Sequence, residues 1–126
     1  MKPIGTSILV ALLTVSCAFA PAASARKSED GLPVIALKKL PKEARTTYEA
    51  IHNGGPFAYD RDGVVFGNRE RLLPAKPRDY YHEYTVPSPK TKGRGARRIV
   101  CGGAQSTPEV CYYTDDHYQS FKRIRE

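Results

Sequence analysis

The chain has no tryptophan, one methionine, three cysteines and three histidines. It has no internal repeat, which sets aside solenoids and propellers. It also has little apolar run. The longest, Ile8 to Ala20, falls short of the roughly 20 residues a bilayer-spanning helix needs. Metal ligands are few and scattered. Cys101, Cys111 and His117 lie near one another in sequence, but the further ligands of a tetrahedral zinc set are missing at the usual spacing. No metal or cofactor is expected. Glycine and proline, ten of each, interrupt the chain so often that only one segment reads as a convincing helix.

What is present begins with an export signal. Lys2 precedes the short apolar run, and Ala23-Ser24-Ala25 supplies the small residues of a cleavage site. A cut after Ala20 would leave Pro21 first and is the poorer reading. A lipoprotein site at Cys17 is disfavoured because Thr14 stands where a large aliphatic residue belongs. Residues 1–25 are therefore expected to be a signal peptide, residues 26–36 a flexible lead, and residues 37–126 one domain with one modest core. The protein is expected to be secreted, to the exterior or the periplasm, with no membrane attachment and as a monomer. The formal charge is +7, and loss of Lys2 lowers it by one. A basic exported protein suits a polyanionic partner. Cys101 and Cys111 are the pair left after cleavage, and in an oxidising compartment a pair reads as a disulfide.

The helix is expected within "PKEARTTYEAIHNGGP". Pro41 opens it, Gly54-Gly55-Pro56 stop it, and Ala44, Tyr48 and Ile51 share one stripe. "VIAL" (34–37) before it reads as an edge strand. After it come apolar segments at 64–66, 80–86, 96–101 and 110–114 and a last short strand beyond 121, separated by turn-rich loops. One helix followed by several antiparallel strands is an α+β pattern, with the helix on one face of a small twisted sheet.

The strand "YYHEYTV" poses a problem, because Glu83 stands at its centre. A carboxylate on a packed sheet is costly unless compensated. By period two, Tyr80, His82, Tyr84 and Val86 face the helix, while Tyr81, Glu83 and Thr85 face away. That second face should not be a conventional dry core. Lys92, Arg94, Arg97 and Arg98 crowd the start of the next strand and can supply a cation beside Glu83. An exposed ion pair would explain the spacing without any catalysis.

Four segments, "DGVVFGNRE", "YYHEYTV", "RGARRI" and "YYTDDHY", resemble in order and spacing the microbial guanyl-specific ribonucleases. That group contains ribonuclease Sa and, more distantly, barnase. The resemblance runs from about Leu37 to Phe121. It implies a metal-independent endonuclease acting on single-stranded RNA, with Glu83 as general base, His117 as general acid, and Arg94 and Arg98 on the scissile phosphate. Phe66, Asn68, Arg69, Glu70 and Tyr118 match the guanine site, with the two aromatic rings available for stacking. It also implies that a small acidic inhibitor of the barstar type would suit the basic cleft. Two departures stand out. Gly67 replaces an amide side chain of ribonuclease Sa, and the disulfide is placed to staple the hairpin between Arg98 and His117, which is somewhat longer here.

Overall fold

A computed structural model of the chain describes residues 30–126, together with residues 5, 11 and 14. The expected signal peptide thus falls almost wholly outside the described residues. Helix α1 spans Lys42–His52, and Ala44, Thr47, Tyr48 and Ile51 are its buried face. It stops as its sequence requires. Gly54 takes φ +76°, and Gly54 N–H and Gly55 N–H donate to Ile51 O at 3.3 Å and Ala50 O at 2.8 Å. This is a Schellman closure, which favours glycine because the left-handed residue has no side chain to clash. A 3-10 turn, Leu37–Lys39, leads into the helix.

Among the described residues six strands form one sheet: β1 Val34–Ala36, β2 Val64–Val65, β3 Tyr81–Thr85, β4 Arg98–Gly103, β5 Pro108–Thr114 and β6 Lys122–Arg125. Their order is β1-β6-β5-β4-β3-β2. The consecutive strands from β2 to β6 pair antiparallel, but β1 pairs parallel with β6. The α+β class expected from the sequence is the one observed, with this parallel edge added.

The edge strand expected at 34–37 is observed at Val34–Ala36, and Arg123 N–H donates to Pro33 O at 2.8 Å. Upstream, the Tyr112 hydroxyl donates to Asp30 at 2.5 Å, and Arg123 lies 3.9 Å from the same carboxylate. Two needs drive this: the open edge of β6 lacks a partner, and the buried Tyr112 hydroxyl requires an acceptor.

The two sheet faces carry separate cores. On the helix side, Leu40, Ala44, Tyr48 and Ile51 pack against Tyr84, Val86, Ile99, Cys101, Cys111, Tyr113 and Ile124. Cys101 and Cys111 are direct cross-strand partners and form a disulfide, with Cα atoms 4.1 Å apart. On the other side, Leu73, Tyr81, Val100, Tyr112 and Phe121 form a second apolar cluster. This corrects the expectation that the Glu83 face has no dry core. Tyr80 also departs from the alternation. It lies just before β3, outside the pleat, and packs with the second cluster. Its ring sits where a β-carbon of Gly102 would stand.

Candidate active site

Glu83 lies at the centre of β3, opposite Val64 of β2 and Val100 of β4. Only 9% of the residue is exposed. A cleft of about 710 Å³ opens above it, and Phe66, Asn68, Arg69 and Glu70 line it together with Glu83, His117 and Tyr118. Segments far apart in sequence therefore meet over one carboxylate. The cation compensating Glu83 is Arg94, with its guanidinium 3.7 Å from the carboxylate. Arg94 comes from the loop before β4. Its Nε and Nη2 also donate to Thr85 Oγ1 at 3.2 and 3.0 Å, so it lies along the Glu83 face of β3.

Arg98 is buried, with 2% of its surface exposed. Its Nη1 donates to the carbonyls of Arg94 and Arg97 at 3.2 and 2.8 Å, and its Nε to the Tyr118 hydroxyl at 3.1 Å. Among the described residues no carboxylate forms a salt bridge with it. A buried cation held only by neutral acceptors favours an anion nearby. Neither Arg94 nor Arg98 belongs to the cleft lining. They flank Glu83 from the β4 side. Arg97 turns the other way and lies 4.0 Å from Glu43 on the helix.

His117 and Tyr118 sit in the loop after β5 with φ +56° and +70°. Left-handed backbone is costly for bulky residues and persists only when neighbours impose it. Asp116 does so here. Its carboxylate accepts from the hydroxyls of Thr114 and Ser120 and from the backbone N–H groups of Gln119 and Ser120. Those bonds, the Ser120 hydroxyl foremost, hold the Asp116 carboxyl below the usual carboxylate range. The His117 N–H donates to Ala96 O at 3.0 Å, tying the loop to the segment that carries Arg94 and Arg98. Burial, and then the charge of Glu83, push the Tyr118 hydroxyl up. It therefore remains a neutral donor beside the carboxylate.

The 66–73 loop begins where Phe66 N–H donates to Tyr81 O at 2.9 Å. Asn68 adopts φ +50°, and its side chain bonds the Leu73 carbonyl and N–H at 2.9 and 3.1 Å. The Asn68 side-chain amide is therefore taken up by the loop itself. No hydrogen bond among the described residues uses the N–H groups of Arg69 or Glu70, which leaves them as donors. Phe66 and Tyr118 both reach the cleft, but they stack on each other, with centroids 5.1 Å apart and planes 29° apart. They present one stacked pair to an entering base, not two facing walls.

A family model described as ribonuclease matches residues 22–125. The chain belongs to the ribonuclease family. This ribonuclease is 56% identical over 85 residues to the guanyl-specific ribonuclease Sa3 of Kitasatospora aureofaciens, covering 68% of this chain and 58% of that protein. It is 49% identical over 92 residues to the guanyl-specific ribonuclease St of Saccharopolyspora erythraea, covering 73% of this chain and 87% of that one. Among solved structures, ribonuclease Sa2 complexed with mononucleotides superposes with a TM-score of 0.70 at 44% identity, over 75% of this chain and 95% of that one. Ribonuclease Sa2 with guanosine-2′-cyclophosphate gives 0.68 at 45% identity, over 75% and 96%.

Glu83, His117, Tyr118, Phe66, Asn68, Arg69 and Glu70 line this cleft and Arg94 and Arg98 flank it, whereas Arg97 and the Cys101–Cys111 pair lie on the helix side. Two contributors were not singled out. Thr85, which fixes Arg94, was legible as a neighbour of Glu83 on the same face. Arg61, which lines the cleft, enters through contacts that only the fold makes. Asp116 was legible as the acid next to His117, but its work of holding the loop shows only in its bonds.

Proposed function

We propose that this ribonuclease cleaves single-stranded RNA after guanosine, by transphosphorylation and then hydrolysis, without a metal. The observation that carries the reading is the convergence of Glu83, His117 and the 66–70 loop on one cleft, with Arg94 3.7 Å from Glu83. RNA brings its own nucleophile. Glu83 takes the proton of the 2′-hydroxyl as its oxygen attacks phosphorus. His117 protonates the departing 5′-oxygen. Each transfer typically contributes about 10²–10⁴-fold. The phosphorane gains negative charge, and Arg94 and Arg98, fixed in advance by Thr85 and backbone carbonyls, stabilise it more than the ground state. The Tyr118 hydroxyl adds a neutral donor. The 2′,3′-cyclic phosphate then reacts with water in the reverse sense, with His117 as base and Glu83 as acid, leaving a 3′-phosphate. DNA lacks the 2′-hydroxyl and does not enter this route.

Base choice rests on Glu70. Guanine offers N1–H and N2–H as adjacent donors to one carboxylate, and its O6 accepts from the N–H groups of the loop. Adenine has no proton on N1, so Glu70 would meet a lone pair. A site built on such bonds rejects the analogue that lacks them. The base stacks on the Phe66–Tyr118 pair. The signal-like residues 1–25 and the Cys101–Cys111 disulfide support secretion. The basic rim of the cleft suits a small acidic inhibitor protein.

The test is to incubate the protein with guanylyl-(3′→5′)- and adenylyl-(3′→5′)-nucleosides in chelator and map the cut ends. A 2′,3′-cyclic phosphate on guanosine, formed faster than on adenosine, is expected. Binding without cleavage would replace the enzyme with a binding module. Glu70→Gln should raise KM for the guanylyl substrate and narrow its advantage about tenfold or more; an unchanged ratio would remove Glu70 from the base site.

A further inference from the structure

We infer that Arg61 is a contact for an RNA phosphate flanking the scissile one, which extends the proposed cleft by one subsite. Arg61 stands in the turn before β2 and lines the same cleft as Glu83 and His117. The turn is anchored to β3. Asp62 accepts from Thr85 N–H at 2.7 Å, and Gly63 N–H donates to Glu83 O at 2.8 Å. The Gln105 side chain donates to Gly63 O at 2.9 Å, and the Val64 N–H to Arg61 O at 3.3 Å. The guanidinium is thus presented from a fixed backbone, one and two residues before the contacts that Asp62 and Gly63 make with the catalytic strand.

Its position excludes the role already filled. Arg94 and Arg98 approach Glu83 from the β4 side, whereas Arg61 approaches from the β2 side, so β3 separates the two sources of charge. The neighbouring acid Asp62 is occupied by the backbone N–H groups of Thr85 and Tyr59. Among the described residues Arg61 has no salt-bridge partner, and it is exposed. A solvated guanidinium on the rim of an RNA cleft, across the carboxylate from the scissile-phosphate cations, matches the next phosphate along the strand, which it can hold through two N–H donors.

This inference rests on the ribonuclease reading, and substrates of different length separate the two. The comparison uses guanylyl-(3′→5′)-cytidine, the same dinucleotide with a 5′-phosphate, and the same dinucleotide with a 3′-terminal phosphate. Steady-state cleavage is measured for the wild type, Arg61→Gln and Arg61→Lys over a range of salt. With a phosphate contact at Arg61, one of the two extended substrates gains in kcat/KM over the plain dinucleotide in the wild type. Arg61→Gln then loses about fivefold more on that substrate than on the plain dinucleotide, as KM. The end whose phosphate matters tells which side of guanosine the subsite occupies. The logarithmic salt slope on that substrate falls by about 0.7 in Arg61→Gln, and Arg61→Lys restores most of it. Equal losses on all three substrates, or none on any, overturn the subsite. If the wild type cleaves no substrate, the underlying reading fails instead. Matching thermal unfolding of the variants excludes a folding effect.

Discussion

Glu83 is an acid that a strand of this kind would ordinarily exclude, and its surroundings explain why it remains. Arg94 compensates it at 3.7 Å, and the Tyr118 hydroxyl, held neutral by burial and by the Glu83 charge, stands beside it. Glu83→Gln keeps the shape and removes the base. Turnover on a guanylyl dinucleotide should fall by at least about 10²-fold while thermal unfolding shifts little. Near-normal turnover in the purified variant would take the proton-acceptor role from Glu83. His117→Gln should lose comparably on RNA but far less on a guanosine 3′-phosphodiester with an aryl leaving group, which departs without a proton. Similar losses on both substrates would argue against His117 as the acid.

The elements that set these residues are joined by links whose removal has separable effects. The loop after β5 keeps two non-glycine residues at positive φ because Asp116 gathers its hydroxyl and N–H groups. Asp116→Ala should lower kcat about tenfold with little change in KM, because the acid is misplaced and the base pocket is not; an unaltered kcat would show the loop is held by other contacts. The disulfide acts elsewhere. Cys101 and Cys111 join β4 to β5 on the helix side of the sheet, while the cleft opens on the other. Replacing both with serine should cost about 3 kcal/mol by the chain-entropy model, or roughly 10–20 °C in Tm. Dinucleotide cleavage at low temperature should persist, and its complete loss in a folded variant would tie the two faces together.

At the scale of the molecule, ionisation sets limits at both ends of the pH range. The Asp116 carboxyl is lower in the folded state than its ordinary value. Its contribution is present above the ordinary carboxylate range and is lost as pH falls through the folded value. Tyrosines act in the opposite direction. Burial pushes the Tyr81 hydroxyl up to about 12, and raises Tyr48 and Tyr112 further, each helped by its bonded carboxylate. A raised group contributes fully below the unfolded value, near 10, and its contribution is lost as pH rises through the folded value. Stability from urea melts should therefore fall steeply above about pH 10. Phenolate absorbance for these tyrosines should appear together with loss of the fold. Their titration in a still-folded protein would show that the hydroxyls are accessible.

The sequence by itself determined the local pieces. Pro41 and Gly54-Gly55 bound the helix, the stripe Ala44, Tyr48 and Ile51 gave its buried face, and the period-two pattern around Glu83 separated that acid from the helix side. It also marked the chemistry, because Glu83, His117, Arg94, Arg98 and the Glu70 loop stand in recognisable motifs. Only the tertiary structure decided what depends on partners distant in sequence. The parallel addition of β1 beside β6 follows from an open edge that exists only once the sheet is built. Tyr80 crossing to lie over Gly102 depends on a missing side chain on a neighbouring strand. The second apolar cluster arises because loops 66–74 and 117–121 fold over the far face. Asn68 reads in sequence as part of the base loop; that its side-chain amide closes this loop on Leu73 shows only in the fold, because hydrogen-bond partners are assigned by distance in space.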